Sequence, residues 1–181
     1  MSTTPLSSTI TVLGAGSWGT ALALALARNG QSVRLWGHDI KHLACIAQER
    51  RNARYLPDAP LFPDNLTVHA DLAEALTNSN DVLIVVPSDA FRDTLVRINP
   101  YLTSESRLAW GTKGLDPQSD QLLHDVVVEL RGKQQATAML SGPTFAREVA
   151  LGMPTAITVA SQTSSFARDL TTRLHQPNFR V

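Results

Sequence analysis

Three glycines near the start of the chain have the spacing of a phosphate-binding turn. Gly14, Gly16 and Gly19 form the pattern Gly-x-Gly-x-x-Gly directly after an apolar run, and an apolar helical pattern follows them. In that setting the first glycine permits a tight turn, the second leaves room for a pyrophosphate, and the third lets the helix pack closely on the sheet. Free N–H groups at the helix start attract phosphates. The pattern predicts a dinucleotide site, and a glycine turn without a nucleotide is the alternative.

The residues that would bind the adenosine ribose are less clearly indicated. An acidic residue about 20 positions after the last glycine binds the ribose hydroxyl in such sites. Asp39 has this spacing, but the second strand is predicted to end near Trp36, so His38 and Asp39 compete for the position. A carboxylate there favours NAD, whereas a histidine, with Arg34 or Arg54 nearby, tolerates the 2′-phosphate of NADP. Asp39 is explained equally well as a helix N-cap. The choice stays open, with use of NADP(H) favoured.

Three more loops follow predicted strands, at residues 85–88, 111–114 and 141–146. Lys113 lies between two glycines and could bring an ammonium group beside a phosphate or a carbonyl, although a loop lysine is more commonly only solvated. Ser141 is a candidate N-cap, and the helix after it could hold an anion. Because ligands bind at the carboxyl ends of strands in open α/β sheets, the three loops together favour a shared cleft.

Short apolar runs alternate with longer helical patterns along the chain, which predicts an α/β fold with a doubly wound parallel sheet of the Rossmann type. The clearest strand is apolar without alternation, as expected when helices cover both faces of a sheet. The predicted strands are residues 10–13, 33–36, 66–69, 81–86, 108–110, 136–140 and 155–159, with Phe179 to Val181 typical of the start of another. The predicted helices are residues 17–29, 39–53, 71–77, 88–98, 118–130, 144–150 and 164–175.

The composition indicates one globular domain. The chain has 181 residues, of which 43% are hydrophobic and 18% charged, enough apolar material to exclude wholesale disorder. The formal net charge is zero, which argues against a non-specific nucleic-acid partner. The first nine residues lack the features of a secretory signal, and the apolar stretches are far shorter than the about 20 residues that cross a bilayer. We expect a cytoplasmic protein with no membrane partner.

A few other reactive residue types are assigned to ordinary structural roles. Cys45, the single cysteine, can form no internal disulfide, and its apolar helical pattern predicts a core position. His38 and His42 are four residues apart, but no third ligand has suitable spacing, so no metal site is predicted. The charged run at residues 49–54 is interpreted as the exposed end of a helix.

These motifs together resemble the N-terminal half of bacterial NAD(P)-dependent glycerol-3-phosphate dehydrogenases. The matching stretches occur in the order of that family and cover most of the chain. They are residues 12–23 (VLGAGSWGTALA), 35–39 (LWGHD), 52–57 (NARYLP), 85–88 (VVPS), 112–115 (TKGL) and 141–148 (SGPTFARE).

The resemblance implies an oxidoreductase that transfers hydride reversibly between NADPH or NADH and dihydroxyacetone phosphate, giving sn-glycerol 3-phosphate for phospholipid synthesis. It implies that Lys113 contacts both cofactor and substrate. The other implied cofactor residues are Gly14, Gly16, Ser17, Trp18, Gly19, His38, Tyr55 and Ala146, and the other implied substrate residues are Gly142 and Thr144.

In the resembled family, the lysine that transfers the proton lies in a helical domain that follows the Rossmann domain, which here means beyond Val181. Residues 1–181 are therefore expected to form an N-terminal NAD(P)-binding domain without a catalytic residue, ending before the helical substrate domain. Such a chain should bind cofactor and turn over little or no substrate. A homodimer of the full-length protein is a possibility that the residues leave open, as they do feedback regulation.

Two other classes of function are compatible with the same motifs. One is a non-catalytic dinucleotide-binding redox module, which would have no need of Lys113 or of the loop at residues 141–146. The other is a different two-domain NAD(P)-dependent dehydrogenase, acting on a hydroxy acid or a sugar phosphate.

Overall fold

Strands and helices alternate along the chain in a computed structural model that describes residues 9–181. The strands are β1 (Ile10–Leu13), β2 (Val33–Trp36), β3 (Leu66–His69), β4 (Asp81–Ile84), β5 (Arg107–Trp110), β6 (Thr137–Ser141), β7 (Thr155–Ala156), β8 (Thr158–Ala160) and β9 (Phe179–Arg180). The helices are α1 (Ser17–Arg28), α2 (Ile40–Glu49), α3 (Leu72–Leu76), α4 (Ser88–Ile98), α5 (Leu123–Arg131), α6 (Ala146–Leu151) and α7 (Ser164–Leu174), with a 3-10 turn at Asn99–Tyr101. The sequence predicts no secretory signal in residues 1–9, and residues 1–8 of that segment lie outside the described range.

The main sheet has seven strands in the order β3-β2-β1-β4-β5-β6-β8. The first six run parallel, and helices join them, which confirms the predicted doubly wound Rossmann-type sheet. The last strand differs from the expectation of a wholly parallel sheet, because β8 pairs antiparallel with β6 at the edge.

A second sheet of two strands pairs β7 with β9. A strand begins at Phe179, as predicted, and β9 comprises Phe179 and Arg180. Thr155 pairs with Phe179 and Ala156 with Arg180. The backbone N–H of Val181 donates instead to the Nδ1 of His175 at 3.2 Å, and its side chain packs against the core.

The predicted strand at residues 155–159 is two strands in two different sheets. Thr155 and Ala156 pair with β9, whereas Thr158 to Ala160 pair with β6. Ile157 lies between them and is buried in the core, so the chain turns from one sheet to the other at this residue. Sequence alternation cannot distinguish such a crossing from one continuous strand, because the backbone is extended on both sides of it.

Helix α1 is buried almost all round. Nine consecutive residues, from Gly19 to Ala27, are buried between the sheet and helices α6 and α7. Its run of alternating alanine and leucine suits this position, because the small residues allow close approach while the leucines fill the space between layers. The guanidinium of Arg28 donates to the carbonyl oxygens of Val149 and Ala150, which ties the end of α1 to the end of α6.

Two predicted helices begin later than expected. Helix α5 starts at Leu123 and not at residue 118, because Asp116 organises a turn in which Ser119 and Asp120 donate to it. Helix α6 starts at Ala146 with Phe145 as its N-cap. The prediction that Ser141 is an N-cap is therefore wrong, because Ser141 is the last residue of β6. Side chains that stabilise a local turn compete with the first turn of a helix, and sequence periodicity does not show which prevails.

The prediction that Cys45 is a core residue is wrong. The side chain is exposed, because α2 buries only Leu43 and Ile46, and Cys45 lies about 100° away from Ile46 around the helix. Helix α2 ends at Glu49 and not at residue 53, so most of the charged run at residues 49–54 follows the helix. Its charged residues are exposed, as interpreted, whereas the uncharged Asn52 among them is completely buried.

Candidate functional site

The loops singled out by the sequence follow strands that are neighbours in the sheet. Strands β1 and β4 are adjacent although two strands separate them in the sequence, so the direction of chain progression reverses between them. Open α/β sheets bind ligands outside the carboxyl ends of the strands at such a switch point. The glycine loop after β1 lies at this position, with the loop after β2 on one side and the loops after β4 and β5 on the other.

Gly14 and Gly19 are required by the packing of the loop itself. Gly14 has a φ of 121°, and a Cβ atom added there would lie 2.2 Å from the carbonyl oxygen of Val85. A Cβ atom added to Gly19 would lie 1.9 Å from the carbonyl oxygen of Gly14. These two glycines therefore allow α1 to start directly against the ends of β1 and β4.

Gly16 faces open space. It is the N-cap of α1, with a φ of −78°, and an added Cβ atom would meet nothing within 4 Å. The first turn of α1 contains no acidic side chain that could compete with an anion. The loop thus offers an open surface and the amino end of a helix, which is the geometry that suits a pyrophosphate.

Trp18, in the first turn of α1, reaches towards the loop after β5. A Cβ atom added to Gly111 would lie 2.8 Å from the indole Nε1, so the absence of a side chain at Gly111 is what lets the ring lie there. The Nε1 atom is buried, and no residue in the range 9–181 accepts its hydrogen. A buried indole N–H without an acceptor fits a site whose ligand supplies one.

The adenosine side of the site contains an ion pair. The carboxylate of Asp39 caps α2 by accepting from the backbone N–H of His42 at 3.0 Å, and this bond holds the pKa of the carboxyl below its usual value. The guanidinium of Arg54 lies 3.4 Å from the other oxygen of Asp39 and 5.1 Å from the ring centre of Tyr55. His38 is exposed just before Asp39.

Of the two arginines considered for a 2′-phosphate, Arg34 is engaged elsewhere. Its guanidinium donates to the carbonyl oxygens of Glu74, Ala75 and Thr77, where it caps the end of α3. Arg54 is more than half exposed beside the amino end of α2. Arg54 is therefore the arginine whose position suits an adenosine phosphate.

The loop that carries Lys113 is held at both ends. The hydroxyl of Thr112 is buried and donates to the carbonyl oxygen of Val86 at 2.8 Å, which joins the loops after β5 and β4. Lys113 itself is exposed, and Gly114 has a φ of 102°, a conformation that favours glycine. The loop is thus fixed in a shape that leaves the ammonium group accessible.

A buried carboxylate anchors the far end of this loop. Asp116 is only 1% exposed; it accepts from the Ser119 hydroxyl at 2.6 Å and from the Arg92 Nε at 3.0 Å. These two donors hold the pKa of Asp116 below its usual value. Arg92 also donates to both oxygens of Glu129, so α4, α5 and the loop are joined through one guanidinium.

The loop after β6 lies beside Lys113 only in part. A groove of about 750 Å³ is lined by both Lys113 and Ser141, but Gly142 and Thr144 are not among its lining residues. Gly142 is packed against β7, with an added Cβ atom 3.0 Å from the carbonyl oxygen of Ala156. Ala146 packs against the same core cluster as Trp18.

The structure therefore brings most of the predicted cofactor residues to one edge and adds one residue that the sequence analysis did not single out. The loop after β4 joins the other two loops, because Val85 lies against Gly14 and Gly19 while Val86 accepts from the Thr112 hydroxyl. Asn52, which is 0% exposed, donates to the glycine loop at Ala15. The available signal in the sequence was that Asn52 opens the matching stretch at residues 52–57, but it also lies in the charged run at residues 49–54, which was interpreted as exposed.

Residues 9–181 contain no cluster of three or more potential metal ligands. Within the same range, no helix combines the length and the apolar character that crossing a membrane would require.

Comparison with known proteins agrees with this geometry. Residues 9–167 match a family model described as the N-terminus of NAD-dependent glycerol-3-phosphate dehydrogenase. A glycerol-3-phosphate dehydrogenase [NAD(P)+] of Colwellia psychrerythraea is 51% identical over 177 residues, 97% of this chain and 53% of the relative. The corresponding protein of Klebsiella pneumoniae is also 51% identical, over 97% of this chain and 52% of its own length. The chain thus spans about half the length of the curated relatives it matches.

Solved structures show the same relationship. A glycerol-3-phosphate dehydrogenase from Coxiella burnetii superposes with a TM-score of 0.93 at 48% identity, covering 98% of this chain and 54% of that one. A UDP-D-ManNAc dehydrogenase from Pyrococcus horikoshii superposes over 95% of this chain and 46% of its own with a TM-score of 0.72, but at 12% identity it shares the fold alone.

Proposed function

The chain belongs to the NAD-dependent glycerol-3-phosphate dehydrogenase family, matching its N-terminal part, and on this premise we propose that it is the cofactor-binding half of an enzyme that reduces dihydroxyacetone phosphate to sn-glycerol 3-phosphate. The cofactor is NADPH or NADH. The second half of the relatives' length, which this chain does not span, would supply the proton-transferring group and most of the substrate phosphate site.

The observation that carries the proposal is the open glycine loop at the switch point of the sheet. Gly16 leaves room beside the backbone, and the amino end of the 12-residue helix α1 faces that room. The partial positive charge and the free N–H groups of such a helix end stabilise a pyrophosphate. Ser17 and Trp18, in the first turn, would lie against the bound dinucleotide.

The nicotinamide of the cofactor would supply the hydride, and the residues of this chain would position it and the substrate. Lys113 would place its ammonium group near the substrate carbonyl or phosphate, where positive charge stabilises the oxygen that becomes negative during reduction. Gly142 and Thr144 would contact the substrate from the loop after β6, and Ala146 would lie against the cofactor.

Support for NADPH over NADH comes from the adenosine side. The residues directly after β2 are Gly37 and His38, and neither offers a carboxylate to the ribose. The carboxylate of Asp39 already caps α2 and pairs with Arg54. A bound 2′-phosphate would lie near Arg54, His38 and the aromatic ring of Tyr55 at this end of the site.

Binding of cofactor is tested by thermal unfolding of the 181-residue chain. NADPH at about 100 times its Kd should add about 2.7 kcal/mol to the unfolding free energy, because it binds the folded state only. For a chain of this size the midpoint should rise by about 5 to 10 °C. Adenosine, which lacks phosphates, is the control ligand. An unchanged midpoint at millimolar NADPH and millimolar NADH would contradict the proposal.

Lys113 is tested by Lys113→Met in the full-length protein. Removing the ammonium group should lower kcat/KM for dihydroxyacetone phosphate by about 100-fold, a magnitude typical of a lost charge-stabilising donor. The unfolding midpoint should stay the same because the side chain is exposed. Lys133→Met is the matched control, since Lys133 is also exposed but precedes β6, at the opposite edge of the sheet. Equal activity of the two variants would exclude Lys113 from the site.

A further inference from the structure

Asn52 is a fully buried amide that touches the glycine loop from behind. Its side chain is 0% exposed, and its Nδ2 donates to the carbonyl oxygen of Ala15 at 2.9 Å and to the Thr20 hydroxyl at 2.8 Å. Its Oδ1 accepts from the backbone N–H of Tyr55 at 3.4 Å. Since the Ala15 carbonyl can only accept, the amide nitrogen must face the loop, and the orientation of the amide is determined.

The bond to Ala15 determines which way the next N–H points. The carbonyl of Ala15 and the N–H of Gly16 belong to one planar trans peptide, so they point in opposite directions. With the carbonyl held by Asn52 on the buried side, the N–H of Gly16 faces away from Asn52. No described residue accepts from that N–H, and a Cβ atom built on the same residue meets nothing within 4 Å.

We propose that Asn52 is a positioning residue that holds the Ala15–Gly16 peptide so that the Gly16 N–H donates to the pyrophosphate of the dinucleotide. This inference rests on the proposed function, since it assumes that a dinucleotide binds at the glycine loop. The same amide connects the loop to the segment that carries Tyr55 and Arg54, so one side chain sets the phosphate end and the adenosine end of the site relative to each other.

The physical reason for a buried asparagine is the flexibility of the loop. Glycines on both sides of Ala15 leave its peptide planes free to rotate, and a free N–H would lose rotational freedom on binding phosphate. A preorganised donor avoids that cost. An apolar residue at position 52 would fill the space but would leave the Ala15 carbonyl buried without a partner.

The chain contains a second asparagine with matching chemistry at the other end of α1. The Nδ2 of Asn65 donates to the carbonyl oxygens of Ala27 at 2.8 Å and Gln31 at 2.7 Å. These two hydrogen bonds also connect a loop to α1, but they lie at the amino edge of the sheet, before β3. Asn65 is therefore a control that separates loss of a structural amide from loss of the phosphate donor.

The test compares Asn52→Asp with Asn65→Asp in the 181-residue chain, because each substitution keeps the shape of the side chain and removes the donating N–H group. Binding of NADPH is measured by titration, and binding of adenosine 2′-phosphate, which lacks the pyrophosphate, by NMR. Asn52→Asp should raise the Kd for NADPH by about 10-fold or more and leave the Kd for adenosine 2′-phosphate within about two-fold. Asn65→Asp should lower the unfolding midpoint and leave both constants within about two-fold.

Three results would overturn the inference. They are NADPH binding by Asn52→Asp at wild-type strength, an equal loss for both ligands, and an equal loss in Asn65→Asp. If Asn52→Asp does not fold, as judged by circular dichroism, Asn52→Ser removes the amide without adding a charge and is held to the same criteria. Failure of the wild-type chain to bind NADPH would instead overturn the proposed function itself, and the inference with it.

Discussion

Replacing Gly19 by alanine is expected to lower the unfolding free energy by about 3 kcal/mol or more, at the upper end of what overpacking costs. The added Cβ atom would lie 1.9 Å from the carbonyl oxygen of Gly14. The obstructing atom belongs to the backbone, so no side-chain rotation relieves the clash, and α1 must move away from the ends of β1 and β4. Chemical denaturation of the purified variant measures the loss.

Gly16 provides the matched comparison within the same motif. An added side chain at Gly16 meets nothing within 4 Å, and the φ of −78° is available to any residue. Gly16→Leu should therefore fold with nearly wild-type stability but bind NADPH about 100-fold more weakly, because the side chain fills the space proposed for the pyrophosphate. Equal stability of Gly19→Ala and Gly16→Leu, or full cofactor binding by Gly16→Leu, would contradict this division of roles.

Replacing Asp81 by asparagine should cost about 3 to 5 kcal/mol of unfolding free energy. Asp81 is 1% exposed at the start of β4 and accepts from the Nε and Nη2 of Arg107 at 2.6 and 2.7 Å. The guanidinium of Arg173, on α7, lies 3.2 Å from the same carboxylate and is also buried. The substitution removes the buried negative charge that these two arginines share, and Arg107, which is 23% exposed, keeps its second ion pair with Asp169.

The control for Asp81 is an ion pair at the surface. Asp64 lies 2.7 Å from Arg50, but its side chain is 95% exposed, so Asp64→Asn should change the unfolding free energy by less than about 1 kcal/mol. Both variants remove one negative charge, and urea denaturation compares them directly. Asp81→Asn would also be expected to bind NADPH normally when folded, since the cluster lies at the edge of the sheet opposite the glycine loop. A loss below about 1 kcal/mol for Asp81→Asn would show that the buried cluster does not hold α7 to the sheet.

The glycine pattern and the alternation of strands and helices were readable from the sequence because they depend on local chemistry. A helix needs a starting turn, and a buried parallel strand needs a continuous apolar run. Both requirements produce a recognisable sequence pattern within a few residues. The parallel pairing of the first six strands and the glycine turn between β1 and α1 agree with those expectations, whereas the order of the strands in the sheet is known only from the structure. The roles of individual site residues, such as Lys113 and Thr144, stay predictions to be tested by ligand binding.

Other features depend on which distant segments meet, and local patterns carry no signal for them. Ile157 divides one apparent strand between two sheets because β6 and β9 lie on either side of it. Cys45 is exposed because α2 is rotated to bury Leu43 and Ile46. Ser141 extends β6 and pairs with Thr158 of β8, and the next helix begins only at Ala146, with Phe145 as its N-cap.

By itself the sequence determined the class of fold, the position of the glycine turn and the family, because each depends on short stretches of neighbouring residues. The tertiary structure alone decided which glycine is needed for packing and which faces open space. It also decided that Asn52, more than 30 residues from the glycine loop in the chain, holds that loop from behind. The physical reason is that a buried polar group must find its partner wherever the fold brings one, and contacts between distant segments arise only when the chain has packed.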